Sequence, residues 1–345
     1  MKRSFIMILT GVLSVQMAFS QISFSERRQR DQVYHDGVSL ILKEEFEMAS
    51  AKLTESLEID PAFAPAYLQR GRILIQWGSM DRAMGDLDSA IRFDPGLGEA
   101  FFYKGYIMFG SDTTGMDADL FDLAISKGYH DPYAYYFRGL TGIRDGFDGK
   151  AINDMSQAIV LKSDFALAYH ERAGIKRRMG DLQGAHFDYR TATEYDPGFA
   201  LAYNNLGSVK ILLGDYEGAI EQYTKALELN PKMVLALNNR GYASYFLGNL
   251  DAAMDDFDIA INLESGFAEA SLNKSSILAS QNNLEPALTL LDFAIVENPG
   301  VSLLYLNRGL IQELKGNLSE ACEDWKMALE LGAREAEAYV KECNE

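Results

Sequence analysis

The sequence predicts an all-α fold, a stack of antiparallel helix pairs, on three observations: a pattern recurring every 34 residues without insertion, small residues at fixed places in it, and bulky apolar residues at the places facing them. Counted from Arg30, nine repeats begin at Arg30, Ala64, Gly98, Pro132, Ala166, Ala200, Val234, Ala268 and Ser302, and the last ends at Glu335. They divide the chain as 30–63, 64–97, 98–131, 132–165, 166–199, 200–233, 234–267, 268–301 and 302–335, with a lead over 21–29 and a tail over 336–345. A period this short marks one supersecondary unit, which has to stack on its neighbours to bury an apolar face.

Ahead of the repeats, residues 1–20 have the layout of a secretory signal. Lys2 and Arg3 give a positive start, Phe5 to Val15 is an apolar run shorter than a membrane span, and Ala18 and Ser20 are the small residues that place cleavage before Gln21. No cysteine follows the run, so nothing supports a lipid anchor. The expected location is outside the cytoplasm, periplasmic or secreted.

Within each repeat the elements follow in order. Position four is mostly aromatic (Tyr67, Phe101, Tyr135, Tyr169, Tyr203, Tyr305), and position eight admits nothing larger than serine, as at Gly71, Gly105, Ala173, Gly207, Gly241 and Ser275. Two helices must touch there. Gly78, Gly146, Gly180, Gly214, Gly248 and Gly316 at position fifteen break the first helix, and several are followed by Asp or Asn able to cap the second. Alanine then recurs at positions twenty and twenty-seven, seven apart on one helix face, while position twenty-four is large (Leu87, Phe121, Tyr189, Tyr223, Phe257, Trp325). Pro61, Pro95, Pro197, Pro231 and Pro299 mark the turn into the next repeat. The third repeat departs from the pattern at Asp117 and in its loop from Gly110 to Gly115, so a bend or hinge is expected there and at Gly128 to Pro132.

A 34-residue helix-turn-helix period with these small, aromatic and proline positions resembles the tetratricopeptide repeat, over nearly all of the chain that follows the leader. The resemblance implies a right-handed superhelical solenoid whose first helices line a concave surface, giving positions two, five, six, nine and twelve access to a ligand. Proteins of this kind bind other polypeptides.

Positions seven and twenty-three vary together. Arg70, Arg138, Arg172, Arg240 and Arg308 accompany Asp86, Asp154, Asp188, Asp256 and Asp324, whereas Lys104 and Lys274 accompany Leu120 and Leu290, and the first repeat reverses the signs as Asp36 and Lys52. Such pairing predicts contact between the two helices of one repeat, with the guanidinium making two parallel bonds to the carboxylate. The arginines are then structural and not an anion-binding ladder.

Candidate binding residues fall into two groups. The later repeats carry Asn205, Asn239, Asn273 and Asn307 at position six, with Asn204 and Asn238 before two of them. The row is similar to the asparagine ladder of O-linked N-acetylglucosamine transferases, and an amide supplies a donor and an acceptor that fit any peptide backbone. The other reading is that these amides merely tolerate water. His170 and Arg177 share the face in the fifth repeat, where they would receive an acidic side chain or a carboxyl terminus. The lysine and asparagine clamp of chaperone-binding relatives is absent. The third and fourth repeats offer Phe102, Tyr103, Tyr106, Phe109, Tyr136 and Phe137, which is either an interface or rings covered by neighbouring helices.

Charge and motifs narrow the function. The formal charge of −18 becomes −20 once Lys2 and Arg3 leave with the leader, so nucleic acid and anionic lipid are disfavoured and a neutral or basic polypeptide is favoured. His35, His130, His170 and His186 lack the spacing and neighbours of a metal site, and there is no phosphate-binding glycine loop or nucleophile elbow; no cofactor, metal or catalytic residue is expected. Cys322 and Cys343 are the two cysteines, and an exported chain permits a bond between them. Cys343 also falls on the eighth position of a partial tenth repeat, where packing alone accounts for a small residue. The leading expectation is a non-enzymatic scaffold or adaptor of the cell envelope, holding an extended peptide in its groove. A structural subunit or homo-oligomer is the alternative, and saccharide binding on the aromatic group is a third. A short helix from Ala336 to Cys343 is expected to cap the open end.

Overall fold

The computed structural model describes residues 22–110 and 116–343; the leader, the junction expected before Gln21, and most of the Gly110 to Gly115 loop lie outside them. Nineteen helices run through the described residues, without a strand. In the first half they are α1 (Phe24–Leu42), α2 (Phe46–Ile59), α3 (Ala64–Gln76), α4 (Met80–Phe93), α5 (Gly98–Phe109), α6 (Met116–Ser126) and α7 (Pro132–Arg144). The second half continues with α8 (Asp148–Leu161), α9 (Ala166–Arg178), α10 (Leu182–Tyr195), α11 (Ala200–Leu212), α12 (Tyr216–Leu229), α13 (Val234–Phe246), α14 (Leu250–Leu263), α15 (Ala268–Ser280), α16 (Leu284–Glu297), α17 (Ser302–Lys315), α18 (Leu318–Glu330) and α19 (Ala336–Glu342). Contacts divide the chain into two compact halves between Thr141 and Gly142, inside α7. Among the described residues no helix is long and apolar enough to cross a membrane.

From α3 to α17 every first helix starts on the first residue of its repeat. The lead is not a loose strand of chain: α1 begins at Phe24, and Ser23 and Glu26 form a reciprocal capping box that satisfies two amide donors at its start. Within each half the helices pair as α1 with α2, α3 with α4 and α5 with α6, then α9 with α10 through α17 with α18, and first helices of successive repeats also meet, as α3 with α5 and α13 with α15.

The small and large positions interlock as knob and hole. A Cβ added at Gly241 would lie 2.8 Å from the Phe257 ring, and one at Gly207 would lie 2.7 Å from Tyr223. Those rings, with Tyr189, Phe121 and Trp325, are fully or almost fully buried, each contributing ~2 kcal/mol or more by leaving water. Wherever position fifteen lies among the described residues, its backbone is left-handed: six glycines take this conformation, and Glu44 and Asn282 are forced into it, both at φ 61°. Capping of the second helices is rarer than the sequence suggests. Asp181 and Asp215 accept from the amides of Gly184 and Gly218, whereas Asn249, Asn283 and Asn317 make no side-chain cap.

At the C-terminus α19 packs on α18, and Tyr339 stacks on Trp325 with ring centres 4.8 Å apart. Cys322 and Cys343 are bonded as a disulfide that fastens the end of this short helix to α18, so the eighth position of the partial repeat is both a packing site and a covalent one.

Candidate functional site

The charged row is internal scaffolding. Arg70, Arg172, Arg240 and Arg308 each reach the carboxylate of their own repeat through Nε and a terminal nitrogen, at 2.6–2.9 Å. The remaining terminal nitrogen donates one repeat back, to Thr54, Ser156, Thr224 and Asp292. Arg138 makes the same backward reach, 2.7 Å to Asp122. Lys104 and Lys274, whose own repeats offer only leucine, bind that backward position alone, at Asp88 and Asp258. One expectation fails in the first repeat: Lys52 turns to Glu55, three residues on along its own helix, and Asp36 accepts from Gln32, so the reversed pair forms no direct ion pair, although Asp36 still acts on Lys52 through its charge. Glu55 is a nearer partner for a flexible ammonium than a carboxylate on the other helix.

The asparagines also bond to one another, at a step of 35 residues. Asn239 Nδ2 donates to Asn204 Oδ1 at 3.4 Å, Asn273 Nδ2 donates to Asn238 Oδ1 at 2.9 Å, and Asn205 Nδ2 meets His170 Nε2 at 2.9 Å. Position six of one repeat therefore holds position five of the repeat before. Asn204 and Asn238 are buried, and Asn204 also donates to Asn205, so they set the spacing of α11, α13 and α15. Position five behind Asn307 is Leu272, and Asn307 donates instead to the Leu303 carbonyl of its own helix. His170 is buried between Tyr189 and Phe199, with Glu171 at its Nδ1; Arg177 is exposed and stands against the Tyr189 hydroxyl.

Each ladder amide of Asn239 and Asn273 uses one of its two N–H groups in this way and keeps the other. These two half-buried side chains line two clefts that repeat the same design. The first, about 230 Å³, lies between α11 and α13 and is lined by Ser208, Ile211, Tyr223, Asn238, Asn239 and Tyr242. The second, about 80 Å³, lies between α13 and α15 and is lined by Tyr242, Tyr245, Phe257, Asn273, Ser276 and Ile277. Position twenty-four of the second helix contributes the ring of each cleft, and Tyr242 is shared. Burial pushes the Tyr223 hydroxyl up to about 12, against the opposing effect of its bond with Ser208, so it stays protonated and donates to Ser208 Oγ at 3.3 Å. Tyr242 and Tyr245 are 38% and 43% exposed, and both are braced by Phe246, which stacks flat on Tyr216 at 5.0 Å. The serines and tyrosines at positions nine and twelve were open to sequence reasoning; reading those two positions down every repeat, and not only position six, is the signal that finds them.

In the first half the six aromatic residues pack mainly on each other. Phe137 is the hub, with ring centres of Phe102, Tyr106, Phe109 and Tyr136 within 5.3–6.1 Å. Phe102 and Tyr136 are buried, Tyr103 lies under the Arg72 guanidinium, Phe109 and Phe137 are half-buried, and Tyr106 alone of the six is exposed. Nearby, burial raises the Glu99 carboxyl although Arg72 lies 3.2 Å away.

Comparison with known proteins agrees with the repeat register. Tetratricopeptide-repeat family models match residues 64–96 and 200–233, the second and sixth repeats. Tetratricopeptide repeat protein 13 of Homo sapiens is 27% identical over 123 residues, 36% of this chain and 14% of that protein. Tetratricopeptide repeat protein 6 of Homo sapiens is 28% identical over 156 residues, 44% of this chain and 30% of that one. The chain thus spans less than a third of the length of either relative. The solved structure of PilF of Pseudomonas aeruginosa, 19% identical, aligns with a TM-score of 0.53 over 61% of this chain and 97% of its own, a likeness of fold. With the helix pairs starting every 34 residues and the family models falling on the same boundaries, the chain is a tandem tetratricopeptide-repeat protein.

Proposed function

We propose that this chain is a non-catalytic scaffold of the cell envelope that holds an extended segment of a partner polypeptide along the first helices of its later repeats. One observation carries the reading: the two neighbouring clefts on α11, α13 and α15 are built from the same repeat positions, as a site reading a periodic polymer would be. Tetratricopeptide proteins generally bind protein partners and do not catalyse. Envelope location is supported by the signal-like layout of residues 1–20 and by the Cys322–Cys343 disulfide, a bond that persists in oxidising compartments. The acidic charge favours a neutral or basic partner.

The test places a photo-crosslinking amino acid at Tyr245 in one strain and at Lys225, an exposed position on α12, in another. A polypeptide crosslinked from position 245 and not from 225 is the expected result. Crosslinks only from 225, or none, would sink the groove reading. Sequencing the N-terminus of the recovered protein tests export, with Gln21 expected first.

A further inference from the structure

We infer that the paired clefts select a neutral polyproline-II segment with apolar residues, proline foremost, three positions apart. The inference rests on the scaffold reading and adds which peptide chemistry the groove accepts.

Spacing is the first argument. The clefts lie one repeat apart, each between first helices close enough for Asn239 to reach Asn204 and Asn273 to reach Asn238. Helices in such contact stand roughly 8–10 Å apart. In a polyproline-II helix residues i and i+3 fall on the same side about 9 Å apart. A β-strand repeats its face at about 7 Å and about 13 Å, and so misses one cleft when it fills the other. An α-helix does return to one face after two turns, at about 10 Å, but its backbone amides and carbonyls are already bonded to each other. It would leave the amides of Asn239 and Asn273 without a backbone to bind. Polyproline-II has no internal hydrogen bonds, and its carbonyls stay available to donors.

Chemistry is the second argument. Tyr242 and Tyr245, with Phe257 and Tyr223 beneath them, give aromatic walls, and Phe246 on Tyr216 holds the two exposed rings in place, which lowers the ordering cost of binding. Aromatic-lined grooves with hydrogen-bond donors are the general means of recognising this backbone. The cations of the three helices are engaged elsewhere: Lys210 with Asp215, Arg240 with Asp256 and Lys274 with Asp258. The residues lining the two clefts carry no charge of their own in a chain of formal charge −18, which matches an uncharged ligand.

The experiment uses the full chain from Gln21 and labelled, uncharged peptides of roughly 12 residues, read by fluorescence anisotropy. One has proline at every third position, one has the same composition with no two prolines three apart, and one alternates valine and serine as a strand former. The first should bind at least about tenfold tighter than the others, with little change on raising the salt. Tyr242→Ala and Tyr245→Ala should each weaken it by about tenfold or more, as for an aromatic anchor, while Tyr106→Ala leaves it unchanged. Melting curves of the variants exclude unfolding as the cause. Equal affinity for the three peptides, or binding indifferent to Tyr242 and Tyr245, would overturn the inference. Crosslinking from position 245 together with that result would leave the scaffold reading standing, whereas failure of both would remove it as well.

Discussion

Lys274 on α15 binds Asp258 on α14, in the preceding repeat, because its own repeat offers Leu290 where others carry aspartate. Arg70, Arg172, Arg240 and Arg308 do both, so position seven is the joint between successive repeats as well as within one. Removing Arg240 leaves Asp256, 5% exposed, without its cation, and Arg240→Ala should cost about 3 kcal/mol in urea unfolding. The triple variant Thr224→Asp, Arg240→Lys, Asp256→Leu rebuilds the Lys274 arrangement at this site and should recover most of the loss. If the triple variant is no more stable than Arg240→Ala, the backward pair is not what holds the lysine repeats.

Glu44 and Asn282 occupy a backbone conformation that glycine takes in six other repeats. Glu44→Gly should raise the melting temperature, by relief of about 1 kcal/mol, and Asn282→Gly by less, since asparagine tolerates the left-handed region better. A lowered melting temperature for Glu44→Gly would show that the side chain contributes more than the strain.

The ladder predicts unequal effects at position five. Asn204→Ala leaves a hole and takes a partner from both Asn239 and Asn205, for an expected cost of about 1–3 kcal/mol. Asn204→Leu, the residue found at this position as Leu68, Leu272 and Leu306, fills the hole and should cost less. Hydrogen exchange should report the loss mainly in α11 and α13, since contacts in a repeat stack are between neighbours. Equal destabilisation by the two variants would mean that the amide bonds, and not the packing, dominate.

Reduction of Cys322–Cys343 should release α19. The bond closes a loop with a sequence separation of 21, for which about 3 kcal/mol of stabilisation is expected. Trp325, 2% exposed beneath Tyr339, then becomes accessible to acrylamide quenching in the Cys343→Ser variant or after dithiol treatment. Quenching unchanged by reduction would show that the stacked rings hold the end without the bond.

The period, the starting residue of every first helix from α3 onward, the knob-and-hole pairing of positions eight and twenty-four, and the Arg–Asp pairs of four repeats were all legible in the amino-acid sequence. They depend on contacts inside one repeat, where spacing along the chain fixes which faces meet. Which way Lys104 and Lys274 reach, that Asn204 and Asn238 are buried partners of the next repeat's amides, that Phe102 and Tyr136 turn inward while Tyr242 and Tyr245 stay exposed, and that the two cysteines bond were decided by tertiary structure alone. Each of these depends on what a neighbouring helix leaves open. A polar side chain with several partners in reach takes the one that the stacked backbone brings nearest, and a ring is buried or exposed according to the size of the residues facing it. Periodicity in one dimension cannot rank those competitors; packing in three does.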